Sequence, residues 1–157
     1  MTFFTTLLFV FSFIAMEIVA WFTHKFIMHG VGWKLHETHH VNNGKALEHN
    51  DWFSLLFAIP SWLCIMFGLM YENNIITSIG AGMTAYGFVY FIVHDVFIHQ
   101  RLKLFRNTKS PYLSALRRAH KMHHRHQNRE HGESFGFLWV QKKYFKTENN
   151  SLLDKHI

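Results

Sequence analysis

The chain of 157 residues carries a single cysteine, Cys64, which excludes an internal disulfide and any four-cysteine iron–sulfur cluster. It has only two prolines and nine glycines, and no Pro/Gly/Ser-rich stretch or long run of like charge marks a domain seam. We read residues 1–157 as one domain, with 139–157 as a polar C-terminal tail. Positive charge is missing from whole regions. All 16 Lys and Arg lie either at Lys25, Lys34 and Lys45 or from Arg101 to Lys155, and the connection Tyr71-Glu72-Asn73-Asn74 has none.

Polar residues are equally scarce in three long stretches. Phe3 to Phe22 is interrupted only by Thr5, Thr6, Ser12 and Glu17; Trp52 to Met70 is almost wholly apolar; Ile75 to Val93 is a third run. A hydrocarbon core about 30 Å thick takes roughly 20 helical residues, so each run predicts a transmembrane helix. The first run lacks a basic start and a small-residue cleavage site and leads straight into His24, so it reads as a retained anchor. By the positive-inside rule the N-terminus and the 71–74 turn face outward, and both long polar segments are cytoplasmic. Such spans argue against nucleic-acid binding.

What is abundant is histidine. Ten of the fourteen form one pattern written twice, H-x-x-x-x-H followed by H-x-x-H-H: His24, His29, His36, His39 and His40, then His94, His99, His120, His123 and His124. Three crossings put both sets on one side. Imidazole suits iron, copper, nickel and zinc, and ten imidazoles exceed what one ion uses, so two metals sharing a site is the expectation. The fold class is therefore an all-α integral membrane protein, three transmembrane helices with cytoplasmic histidine-bearing helices enclosing a two-metal site.

His36, His39 and His40 stand at i, i+3 and i+4 and share a helix face, between a break at Gly30 and Gly32 and a stop at Asn42-Asn43-Gly44. For the second triad, Ser110 is the expected N-cap and Pro111 the first helical residue. His24 and His29, like His94 and His99, are five apart, about 140° around an α-helix. Either the two members serve different metals, or the helix end distorts so that both reach inward. His49, His126, His131 and His156 fall outside the pattern and read as ordinary polar residues.

Ligating histidines usually give their other N–H to a carboxylate or carbonyl. Glu17, seven residues before His24 and inside a span, and Asp95, beside His94, are the candidates for that role. For Asp95, an interfacial pairing with Arg101 or Lys103 is the competing reading. Gly80-Ala81-Gly82 is not followed by the glycine a nucleotide loop requires, so no NAD or flavin site is expected.

The segments HKFIMHG (24–30), HETHH (36–40), GAGMTAYG (80–87), HDVFIHQRL (94–102), HKMHH (120–124) and SFGFL (134–138) together resemble the bacterial β-carotene 3-hydroxylases of the fatty-acid hydroxylase superfamily. Histidine spacing alone indicates the superfamily; HDVFIHQRL and SFGFL narrow it. The resemblance implies a non-haem di-iron monooxygenase in the bacterial inner membrane, with the ten histidines as ligands to two iron ions, for which zinc can substitute in purified protein. It implies O2 as co-substrate, no haem, and hydroxylation of ring carbon 3 of β-carotene to β-cryptoxanthin and then zeaxanthin. The electron donors it implies are ferredoxin and ferredoxin reductase, with membrane lipid as the surroundings. The alternative within the same chemistry is a carotenoid ketolase, lipid desaturase, or fatty-acid or sterol hydroxylase. A zinc hydrolase, a metal transporter and a haem cytochrome are the readings outside it.

Overall fold

The computed structural model describes residues 2–41, 47–105, 107–130 and 132–145. The expected stop at Asn42-Asn43-Gly44, His131, His156 and the tail after 145 lie outside the described residues.

Five α-helices account for most of the fold: α1, Phe3–Phe22; α2, Trp33–His40; α3, Trp52–Met70; α4, Asn74–Tyr90; and α5, Pro111–Arg125. No strand occurs among the described residues. Their ends follow from local chemistry. Asn73 caps α4 by accepting from Ile75 N (3.1 Å) and Ile76 N (3.2 Å). Ser110 caps α5 by accepting from Leu113 N, with Pro111 in the first turn, where its missing N–H costs nothing. Two helices do not end where their α-geometry ends: α1 continues as a π-helix over Thr23–Val31, and α4 as a π-helix over Phe91–Ile98.

With these extensions, three helices among the described residues are long and apolar enough to cross a membrane, Phe3–Val31, His49–Met70 and Asn74–Ile98. Their outward faces carry bare apolar side chains such as Phe11, Ile18, Leu56, Trp62 and Phe88, which only lipid or a partner would cover. α1 by itself, 20 residues, matches a hydrocarbon thickness of about 30 Å, so its π-helical extension reaches beyond that length.

α4 is the central helix, packed against α1 on one side and α3 on the other. Small residues set those contacts. A Cβ on Gly80 would lie 2.8 Å from Ser61 O and from Cys64 Cβ on α3, and one on Gly82 would lie 2.5 Å from Phe9 O on α1. Close backbone approach of this kind is how helices associate where lipid removes the hydrophobic drive. Below these contacts Met16, Ala20, Tyr86 and Phe137 form an apolar cluster that joins the spans to the polar end. At the beginning of the polar tail Tyr144, in a short 3-10 turn over Lys142–Phe145, is buried against Ala115 and Ala119 of α5.

Gly82→Leu should therefore separate α1 from α4. We expect a loss of about 1–3 kcal/mol from overpacking, read as a lower midpoint of thermal unfolding in detergent.

Candidate metal centre

The end of the bundle away from the 71–74 turn has a core made of imidazoles. His24, His29, His36, His39, His40, His94, His120 and His123 are buried, and His99 and His124 are half-buried. All ten patterned histidines come together there. Of the others, His49 is exposed and His126 half-exposed, as ordinary polar residues would be.

The five-residue spacing is resolved by the π-helices. In a π-helix the hydrogen-bonded partner lies five residues along, so i and i+5 stack instead of splaying. His99 N donates to His94 O at 2.9 Å, and the two rings lie 4.5 Å apart. In the first copy Gly32 N donates to Ile27 O at 2.8 Å, the chain leaves helical geometry at Gly30, and the His24 and His29 rings lie 5.4 Å apart. Of the two explanations left open by the spacing, helix distortion with both rings turned inward is the one observed.

The ten divide into two clusters that cross between the halves of the chain. One contains His24, His29, His36 and His123; the other contains His39, His99, His120 and His124; in each, one nitrogen per residue lies within 4.8 Å of the rest. His40 stands with the first, its Nε2 3.2 Å from His36 Nε2, while its ring stacks on His124 at 4.6 Å. His94 stands with the second, 4.8 Å from His120 and 4.9 Å from His39. The middle histidine of each H-x-x-H-H triad, His39 or His123, is thus given to the other half's cluster.

The outer ring nitrogens are held in place. Nδ1 donates to Phe135 O from His24 (3.0 Å), to Arg129 O from His29 (3.2 Å), to Asn50 Oδ1 from His36 (2.7 Å) and to Glu133 O from His123 (2.8 Å). In the second cluster the acceptors are carboxylates: Glu48 for His39 (2.9 Å) and Asp95 for His94 (3.2 Å). Arg101 links these carboxylates, lying 3.3 Å from Glu48 and 3.5 Å from Asp95 and making two bonds to Asp51 at 2.8 and 3.1 Å. Asp95 therefore does both things weighed for it, holding His94 and pairing with Arg101.

Glu17 touches no histidine ring. Its Oε1 accepts from the backbone N–H groups of Phe137, Leu138 and Trp139, each at 2.9 Å, and its Oε2 from Tyr86 OH at 2.6 Å. It seats the 134–138 segment, and that segment supplies the carbonyl holding His24. A side chain at Gly136 would crowd this seat, since its Cβ would lie 3.0 Å from Glu17 Oε1. Sequence reasoning missed Glu48, Asn50 and Asp51; it named Arg101, but only as a partner of Asp95. The available signal was the polar group 48–51 placed directly before an apolar run, on the histidine side.

Fixing Nδ1 as the donor leaves Nε2 as a bare lone pair. His24 Nε2 faces His36 Nε2 at 3.1 Å, and His29 Nε2 faces His123 Nε2 at 3.2 Å, with no proton available to either pair. His39 Nε2 and His124 Nε2 are buried with no hydrogen-bond partner among the described residues. Two nitrogens each about 2.0–2.1 Å from one metal stand roughly 2.9–3.4 Å apart between octahedral and tetrahedral angles, which matches these separations. The arrangement fits cations between the rings.

Comparison with known proteins places the chain among hydroxylases. The family described as Fatty acid hydroxylase matches residues 9–147. Among curated relatives, the chain is 42% identical to a "Beta-carotene hydroxylase" of Pseudescherichia vulneris, over 87% of this chain and 77% of the relative. It is 44% identical to the protein of that name from Pantoea ananas, over 81% and 72%, and 37% identical to that of a Paracoccus strain, over 81% and 78%. No solved structure matches the chain.

Burial keeps the imidazoles neutral, which is their ligating form. It pushes His36 down from its ordinary value to about 3, His40 and His99 to about 4, and His123 to about 2, with neighbouring cationic forms adding to the effect. Unfolded histidines take up protons below about pH 6.5, whereas these stay neutral until their lower values are reached. The metal-free protein is thus fully stable above pH ~6.5 and loses stability as pH falls from there, by up to about 1.4 kcal/mol per pH unit for each such imidazole. Thermal unfolding of chelator-treated protein from pH 8 to 4 should show a steep drop beginning near 6.5; a flat profile to pH 5 would contradict it.

Proposed function

Because the chain belongs to the fatty acid hydroxylase family, we propose that it is an O2-dependent β-carotene 3-hydroxylase, converting β-carotene to β-cryptoxanthin and then zeaxanthin. The observation that carries this reading is the pair of interlocked imidazole clusters at the end of an apolar bundle, in a chain whose bacterial relatives at 37–44% identity are named for that reaction. Two iron ions are the proposed occupants. His24, His29, His36, His40 and His123 hold one, and His39, His94, His99, His120 and His124 hold the other. When bound, the iron pair supplies the reductive activation of O2 that no side chain can provide.

The residues supply the rest. Neutral histidines bind without adding ligand charge, and their outer bonds to carbonyls, Asn50, Glu48 and Asp95 fix ring orientation before metal arrives. The Phe137 ring lies parallel to His24 at 5.3 Å and the Tyr90 ring stacks on His94 at 4.6 Å, so water is kept from the clusters on that side. One oxygen atom enters the C–H bond and the other leaves as water, which takes two electrons and two protons from outside. Ferredoxin with its reductase is the proposed source. Lys and Arg gathered at the histidine end and absent from the 71–74 turn support a cytoplasmic site in an inner membrane, within reach of an acidic carrier.

Expression in a β-carotene-accumulating host should yield zeaxanthin, with about two irons per purified chain. His39→Ala and His123→Ala should each lower bound iron and abolish hydroxylation, because each removes a ligand from the other half's cluster. Full iron loading without hydroxylated carotenoid would reject the substrate, and normal activity in either variant would remove that histidine from the ligand set.

A further inference from the structure

We propose that a lateral cavity between α3 and α4 seats the cyclic end of the carotene and that Gly87 sets its width, an inference that rests on the carotenoid reading above. The cavity has a volume of about 480 Å³, within the usual range of roughly 300–1,000 Å³ for small-ligand sites. Its walls are mostly apolar, with Met16, Ala20, Phe53, Phe57 and Met83 facing it, and polar at one end, where Asp51, Asp95 and Arg101 line it.

Its position follows from the three glycines of α4. Gly80 is in close contact with α3 and Gly82 with α1, but a Cβ on Gly87 would meet nothing within 4 Å. The helices are thus tightly packed toward the 71–74 turn and part toward the histidine end. Where they part, Ser54 and Ala58 on α3, Thr84 and Gly87 on α4, and Phe91 at the start of its π-helical extension line the cavity while themselves being exposed. That opening lies on spanning segments, so a substrate dissolved in the bilayer can enter sideways without crossing water. At the inner wall stand Tyr90 and Phe137, in edge contact at 4.5 Å. Behind them, Phe137 lies against His24 of the first cluster and Tyr90 against His94 of the second. These two rings are thus the layer that separates the cavity from the clusters. A methyl-substituted ring is broad and apolar, as these walls require, and the unbranched polyene beyond it can remain in lipid.

Two measurements test this in membranes of the β-carotene-accumulating host. Gly87→Phe fills the opening and should lower hydroxycarotenoid at least tenfold while purified protein keeps its iron; Gly87→Ala should retain half or more, and Phe88→Leu, facing outward, should match the unaltered chain. In parallel, a photoactivatable analogue of the β-ionone ring should label the unaltered chain within residues 53–58 and 83–91. Unimpaired turnover by iron-loaded Gly87→Phe, or labelling confined to other segments, overturns the cavity assignment. Absence of hydroxylated product from the unaltered chain overturns the functional reading instead.

Discussion

Nitrogen lone pairs facing one another inside a protein are the constraint on which this structure turns. His24 and His36, and His29 and His123, present unprotonated Nε2 atoms across 3.1 and 3.2 Å. Another acceptor cannot relieve such a contact, and a buried polar group without a partner costs about 1–3 kcal/mol. A cation between them converts repulsion into coordination. Much of the surrounding architecture serves to aim those atoms: the π-helical turns, the 48–51 segment, and the loop seated on Glu17. Each fixes an outer nitrogen or the backbone that does so.

The two clusters are held differently. Carbonyls and an amide back the first, whereas carboxylates joined by Arg101 back the second. Burial raises the Glu48 carboxyl from its ordinary value and Arg101 opposes that rise, so this charged network is partly desolvated and partly self-compensating. The membrane-like part of the fold reaches the same site through α4, which packs tightly where it meets both neighbours and loosely where it approaches the histidines.

Much of this was legible in the chain. Trp52–Met70 forms as one helix with the bounds its apolar run indicates, Ser110 and Pro111 start α5 as their chemistry requires, and all ten patterned histidines converge. The five-residue pairs were ambiguous because α-helical geometry was the only ruler available. A π-helix is a tertiary compromise with no composition of its own. The carbonyls of Arg129, Glu133 and Phe135 were invisible for a simpler reason: every residue has one, and only the fold selects which are used. Glu17 stood out as a carboxylate in a span, but its partner is backbone 120 residues away and not the histidine one turn-pair along its own helix. Residue spacing cannot report that kind of partner.

The exchange of His39 and His123 between halves also bears on how the protein matures. During synthesis the first half emerges with four of its cluster's five histidines but without His123, and without the carbonyls of Arg129, Glu133 and Phe135 that orient it. A nascent chain halted before residue 120 has no finished cage of either kind, since His120, His123 and His124 are all still to come. Each cluster is therefore completed only when the two halves of the polypeptide have come together.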